Sequence, residues 1–119
     1  MKFKDNLPIY IQIMNYIKKE IVLKKIREGE KLPSVRELST DLTVNPNTIQ
    51  RAYTELEREG LVFTQRGMGT FATEDIEKIR TLKNQMAKNL VKNFLMEMKS
   101  LDFSEEEIKG IIDNFIEGE

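Results

Sequence analysis

Asn47, Thr48, Gln50, Arg51 and Thr54 crowd a single short stretch of this 119-residue chain. An amide matches the donor and acceptor on an adenine edge. An arginine forks onto guanine or onto a phosphate, and a threonine hydroxyl serves either. Two further cations stand nearby: Arg36 upstream, and Arg66 in the glycine turn Gln65-Arg66-Gly67-Met68. Taken alone, such residues describe any solvated polar face or solubilising loop charge. What gives them meaning is the set of elements that must hold them.

Those elements are legible. Ser34 with Glu37 three residues on is a capping box, in which each side chain satisfies an orphan N–H of a helix start. Leu38 and Leu42 then share one face, and the chain turns at Thr43-Val44. Asn45 suits an N-cap and Pro46 the first helical position. Ile49, Ala52, Tyr53 and Leu56 form an apolar stripe opposite the polar face, and Gly60 supplies the left-handed stop. Two helices joined by so short a turn must cross steeply. Leu61 to Thr64 and Gly69 to Ala72 flank the basic glycine turn as two short strands of a hairpin. Helix, turn, helix and hairpin in that order are the plan of a winged helix-turn-helix. Such a head sets one helix in a DNA major groove and a wing against phosphates or a narrow minor groove.

At these residues the sequence resembles the GntR family of bacterial transcription regulators, and its YtrA subfamily in particular. The run Val44-Asn45-Pro46-Asn47-Thr48-Ile49-Gln50-Arg51-Ala52-Tyr53, followed by Leu56-Glu57-Arg58-Glu59-Gly60-Leu61, carries the likeness. Leu7-Pro8-Ile9-Tyr10-Ile11-Gln12-Ile13 is similar to the family's first helix, and the similarity spans residues 5–73. The resemblance implies a DNA-contacting arginine at Arg36, recognition-helix contacts at Asn47, Thr48 and Gln50, and a wing turn at Gly67. It also implies an operator beside a small operon, often one encoding an ABC transporter. Two positions depart from the family. Thr43 stands where glycine is usual, which implies a strained or rebuilt turn, and Glu28-Gly29 replaces Pro-Gly.

Charge divides along the chain. Residues 1–73 carry 12 Lys and Arg against 9 Asp and Glu, and residues 74–119 carry 7 against 11. A basic head and an acidic tail suggest that only the head meets phosphates. There is no cysteine and no histidine. Disulfides and thiol chemistry are excluded, a metal site would need carboxylates alone, and no nucleophile stands beside a base. Neither a metal, a cofactor nor an enzyme activity is expected. No apolar run approaches a membrane span and no signal-peptide pattern is present, so a cytoplasmic protein is expected.

Before the head, Ile9, Ile13, Ile17 and Ile21 recur every four residues and mark a helix from about Pro8 to Lys25. Lys18, Lys19, Lys24 and Lys25 read as solvent-facing. Residues 26–33 read as a loop or short edge strand. After the head, Ile76, Ile79, Leu82, Met86, Leu90, Phe94 and Met98 trace a long amphipathic helix from Asp75 to about Ser100. Ser104-Glu105-Glu106-Glu107 opens a final capped helix carrying Ile108, Ile111, Ile112, Phe115 and Ile116. A two-helix hairpin cannot bury so much apolar surface alone. A second copy is the favoured cover, since winged-helix regulators reading two half-sites need a two-fold partner. Packing on the head is the other reading. Larger relatives carry an effector domain or a pyridoxal-dependent aminotransferase-like domain. Forty-six residues are too few to enclose a pocket of roughly several hundred Å³ in one protomer, although a cavity between two tails stays open.

The expected fold is thus mainly α with a small β-wing: residues 1–73 form a winged helix-turn-helix and residues 74–119 a helical dimerisation hairpin. The expected DNA-facing residues are Ser34 and Arg36, then Asn45, Asn47, Thr48, Gln50 and Arg51, then Arg66, Gly67, Gly69 and Thr70. Ile79, Leu82, Met86, Leu90, Phe94, Ile112 and Phe115 are the expected dimer contacts. Function reads as a dimeric, sequence-specific repressor; the alternative is a winged-helix module that binds protein rather than DNA.

Overall fold

The computed structural model describes residues 1–118. The first helix, α1 (Ile9–Val22), buries Ile13, Ile17 and Ile21, as a four-residue apolar repeat requires. It stops short of Lys25. Lys24 takes φ 60°, and the N–H groups of Lys25 and Ile26 turn back onto the Glu20 carbonyl at 2.9 and 3.1 Å. That left-handed closure satisfies an otherwise orphaned helix-end carbonyl. Of the lysines near this end, Lys18 is not solvent-facing. It forms a 2.9 Å ion pair with Glu59 and is mostly covered.

The stretch before the second helix is a loop with one strand-like contact, a bridge between Lys31 and Phe71. α2 (Val35–Leu42) begins at the capping box: Glu37 N–H donates to Ser34 Oγ at 3.0 Å, and Ser34 N–H donates to Glu37 Oε1 at 2.9 Å. α3 (Pro46–Arg58) is capped by Asn45, whose Oδ1 accepts from Asn47 N–H at 2.8 Å. Ile49, Ala52, Tyr53 and Leu56 are buried and face α1 and α2. Gly60 follows at φ 78°, a conformation that disfavours side chains with a Cβ. Strands β1 (Val62–Gln65) and β2 (Gly69–Ala72) then pair antiparallel, Val62 opposite Ala72 and Gln65 opposite Gly69. Phe63 and Phe71 stack across the pair with centroids 5.6 Å apart.

Beyond the hairpin run α4 (Ile76–Ser100) and α5 (Glu105–Ile116), the latter opened by the Ser104–Glu107 capping box. The chain divides into two compact units at Lys83–Asn84, inside α4, rather than at Thr73. The reason is visible in the head. Ile79 is only 9 % exposed and belongs to the same buried cluster as Ile13, Leu38, Ile49 and Leu61, with Leu82 half-buried against it. Within the protomer these two residues, expected at a dimer seam, pack on the head core, Ile79 fully and Leu82 in part. In the second unit Ile108 is 1 % exposed, whereas Leu90 is 72 % and Phe115 79 % exposed.

Candidate nucleic-acid interface

The turn between α2 and α3 fixes how the recognition face is presented. Thr43 adopts φ 54°, ψ 53°, the left-handed region where glycine would be unstrained. Two bonds secure it: Val44 N–H donates to the Ser39 carbonyl at 3.0 Å, and Ser39 Oγ donates to the Val44 carbonyl at 2.6 Å. Tyr53, buried in α3, donates its hydroxyl to the Pro33 carbonyl at 2.6 Å and so ties α3 to the entry of α2. Burial first, and the Glu37 carboxylate second, push the Tyr53 phenol well above its ordinary range, so the proton needed for that bond stays in place.

With the core stripe turned inward, Asn47, Gln50, Arg51 and Thr54 emerge exposed along the outer face of α3, with Thr48 half-buried beside them. Gln50 Nε2 lies 3.3 Å from Thr54 Oγ1, one turn on. Arg36 is exposed on the first turn of α2, and Arg66 and Gly67 are exposed at the hairpin turn, Gly67 at φ 76°. Among the described residues, Arg36, Arg51 and Arg66 form no ion pair, while Lys18, Lys24, Lys25 and Arg58 are each paired with a glutamate. The three cations the sequence singled out are therefore without an acidic partner, as are others on the surface such as Lys19, Arg27 and Lys31.

Other members of the expected set are occupied. The Ser34 hydroxyl and the Asn45 amide oxygen serve as helix caps. Gly69 and Thr70 are half-buried. The Lys31 side chain passes so close to Gly69 that an added Cβ would stand 2.7 Å from its Cε, and the Thr70 carbonyl accepts from Leu32 N–H at 2.8 Å.

Three neighbours of the face escaped sequence reasoning. Tyr10 of α1 lies under Arg51, its ring centroid 3.8 Å from the guanidinium carbon. Lys31 reaches the hairpin flank, and Glu57 hydrogen-bonds Thr64 of β1. Each pairing joins separate elements, so no local spacing announces it. Among the described residues there is no group of three potential metal-ligating side chains, and no helix is long and apolar enough to cross a membrane.

Residues 9–72 match the family described as bacterial regulatory proteins, gntR family. The chain is 44 % identical to the uncharacterized HTH-type transcriptional regulator YhcF of Bacillus subtilis, over 98 % of this chain and 97 % of that protein. It is 45 % identical to the HTH-type transcriptional repressor YtrA of the same organism, over 74 % and 72 % of the two chains. A solved structure of a GntR family transcriptional regulator from Listeria monocytogenes superposes with a TM-score of 0.86 at 48 % identity, covering 94 % and 98 % of the chains. A capped helix-turn-helix with a hairpin wing, three unpaired arginines and this likeness lead to one conclusion: the chain belongs to the GntR family and is a DNA-binding transcriptional regulator.

Proposed function

We propose that this regulator is a cytoplasmic homodimeric repressor that reads a two-fold operator. The observation that carries the reading is that Arg36, Arg51 and Arg66 are exposed without an ion pair, and that the amides Asn47 and Gln50 are exposed on α3. Asn47, Thr48 and Gln50 lie on the first turns of α3, the part of a recognition helix that reaches deepest into the groove. Arg66 at the wing suits a phosphate. Dimerisation is supported by the apolar residues left uncovered in the second unit, among them Leu90, Val91, Phe94 and Phe115. Repression is supported by the likeness to the YtrA repressor. Control of an operon encoding an ABC transporter belongs to the same proposal, and one genome-wide footprint of the purified chain tests it. Any effector would sit between two tails, where Met86, Met96 and Met98 are the residues available to line a cavity.

The direct test is a binding-site selection with the wild type, Gln50→Ala and Arg66→Ala. Gln50→Ala should change base preference at one position of each half-site. Arg66→Ala should weaken all sequences evenly with a shallower salt slope. Equal, weak binding of operator and scrambled duplex would favour a protein-binding module instead.

A further inference from the structure

The hairpin has two edges, and they are held differently. The β2 edge is tied to the preceding loop by backbone bonds: Leu32 N–H to the Thr70 carbonyl at 2.8 Å, Ala72 N–H to the Glu30 carbonyl at 2.8 Å, and Gly29 N–H to the Ala72 carbonyl at 3.0 Å. The base of β1 is anchored by burial of Val62. Past that point β1 is exposed, and Thr64, opposite Thr70, sits two residues from Arg66. Thr64 is met there by a carboxylate from the recognition helix. Glu57 Oε2 accepts from Thr64 N–H at 3.1 Å, and Glu57 Oε1 accepts from Thr64 Oγ1 at 3.3 Å. Among the described residues, Glu57 is the one side chain outside the hairpin that hydrogen-bonds this exposed part of β1.

A negative charge near the end of a DNA-reading helix is unfavourable toward phosphates. A passive surface glutamate there would only weaken binding. We propose that Glu57 is a positioning residue: it braces β1 against α3 and so sets where the wing arginine, Arg66, stands relative to the recognition face. The proposal rests on the reading that the wing meets DNA. Its physical basis is that without the brace the exposed end of β1 and the turn beyond it are held only through β2, and DNA must then order the residual motion of the wing at an entropic cost.

The sign of one substitution separates the two accounts. The probe is a labelled duplex of the sequence that the wild-type full chain selects from a random pool. Glu57→Ala should weaken binding by roughly three- to tenfold, although it removes a negative charge. Glu57→Gln keeps an acceptor for Thr64 N–H without the charge and should bind at least as well as wild type. Arg66→Ala should weaken binding, and the Glu57→Ala, Arg66→Ala pair should be little worse than Arg66→Ala alone, because an unbraced wing has already lost that contact. In the free protein, amide relaxation should show residues 64–69 more mobile in Glu57→Ala while α1 is unchanged. Unchanged or tighter binding by Glu57→Ala, or losses that add in the double variant, overturns the brace. Arg66→Ala without effect would instead remove the wing contact itself, and the brace with it. A Glu57→Ala head that melts early but keeps a rigid wing would also overturn it.

Discussion

The guanidinium of Arg51 lies over the face of the Tyr10 ring, 3.8 Å from its centroid, and so one helix presents a cation that another helix holds. The negative ring face attracts the charge by about 0.5–1 kcal/mol at an exposed site. It also restricts a long side chain that would otherwise lose entropy on meeting DNA. Tyr10→Leu should weaken operator binding by about two- to fivefold, while Tyr10→Phe, which keeps the ring face, should bind like wild type. Fluorescence anisotropy on a selected duplex decides; equal losses for Phe and Leu would place the effect in the hydroxyl.

Thr43 sits at φ 54° in the turn between α2 and α3. A left-handed backbone costs a residue with a Cβ about 1–2 kcal/mol, and glycine returns part of that gain through its freer unfolded chain. Thr43→Gly should raise stability by about 0.5–1 kcal/mol and the head's Tm by a few degrees. Calorimetry on the purified chain checks the sign. A lower Tm would mean that the turn tolerates threonine without strain.

The Glu37 carboxyl is held below its ordinary value of 4.5, chiefly by the Ser34 N–H and then by the Ser34 hydroxyl. A folded-state value below the unfolded one stabilises the fold above pH 4.5, and that contribution is lost as pH falls through the lower, folded value. Glu107, in the matching box of α5, is lowered in the same way by Ser104. Urea melts between pH 6 and the acid range should therefore show a shallower loss of stability for Glu37→Gln than for wild type. Parallel curves would argue against the capping contribution.

Leu90 is 72 % exposed, so a lysine there costs the isolated protomer little and places a charge in any apolar seam between copies. Leu90→Lys should convert a dimer to a monomer with an unchanged head melting profile. Its binding to a two-fold duplex should fall toward that of a single head, since the second head no longer binds at high effective concentration. A truncation after Lys83, which retains Ile79 and Leu82, should be a folded monomer; one after Thr73 should be destabilised, because it uncovers the core that Ile79 closes. Sedimentation velocity and thermal melts separate these outcomes. A wild-type chain that stays monomeric at micromolar concentration yet binds a two-fold operator tightly would overturn the dimer.

Local chemistry wrote much of this protein into its sequence. Ser34 with Glu37, Asn45 with Pro46, and Gly60 act within one helical turn, so their spacing alone locates the starts of α2 and α3 and the end of α3. The four-residue isoleucine repeat of α1 and the stripe Ile49, Ala52, Tyr53, Leu56 name the buried faces, because burial follows helical period. The unusual turn at Thr43 was visible as a missing glycine. Adjacent pairings such as the helix-turn-helix and the hairpin were legible, but individual side-chain contacts between elements were not. Whether Ile79 closes the head core or faces a partner depends on where α4 passes, and a periodic apolar stripe is equally consistent with both. Lys18 reads as a surface lysine until Glu59 of α3 comes within 2.9 Å. Tyr10 beneath Arg51 and Glu57 against Thr64 exist only once α1, α3 and β1 are assembled, since the partners lie far apart along the chain or on different elements. The sequence determined which face of α3 is polar; tertiary packing decided which of its charges stand free, which are held, and by what.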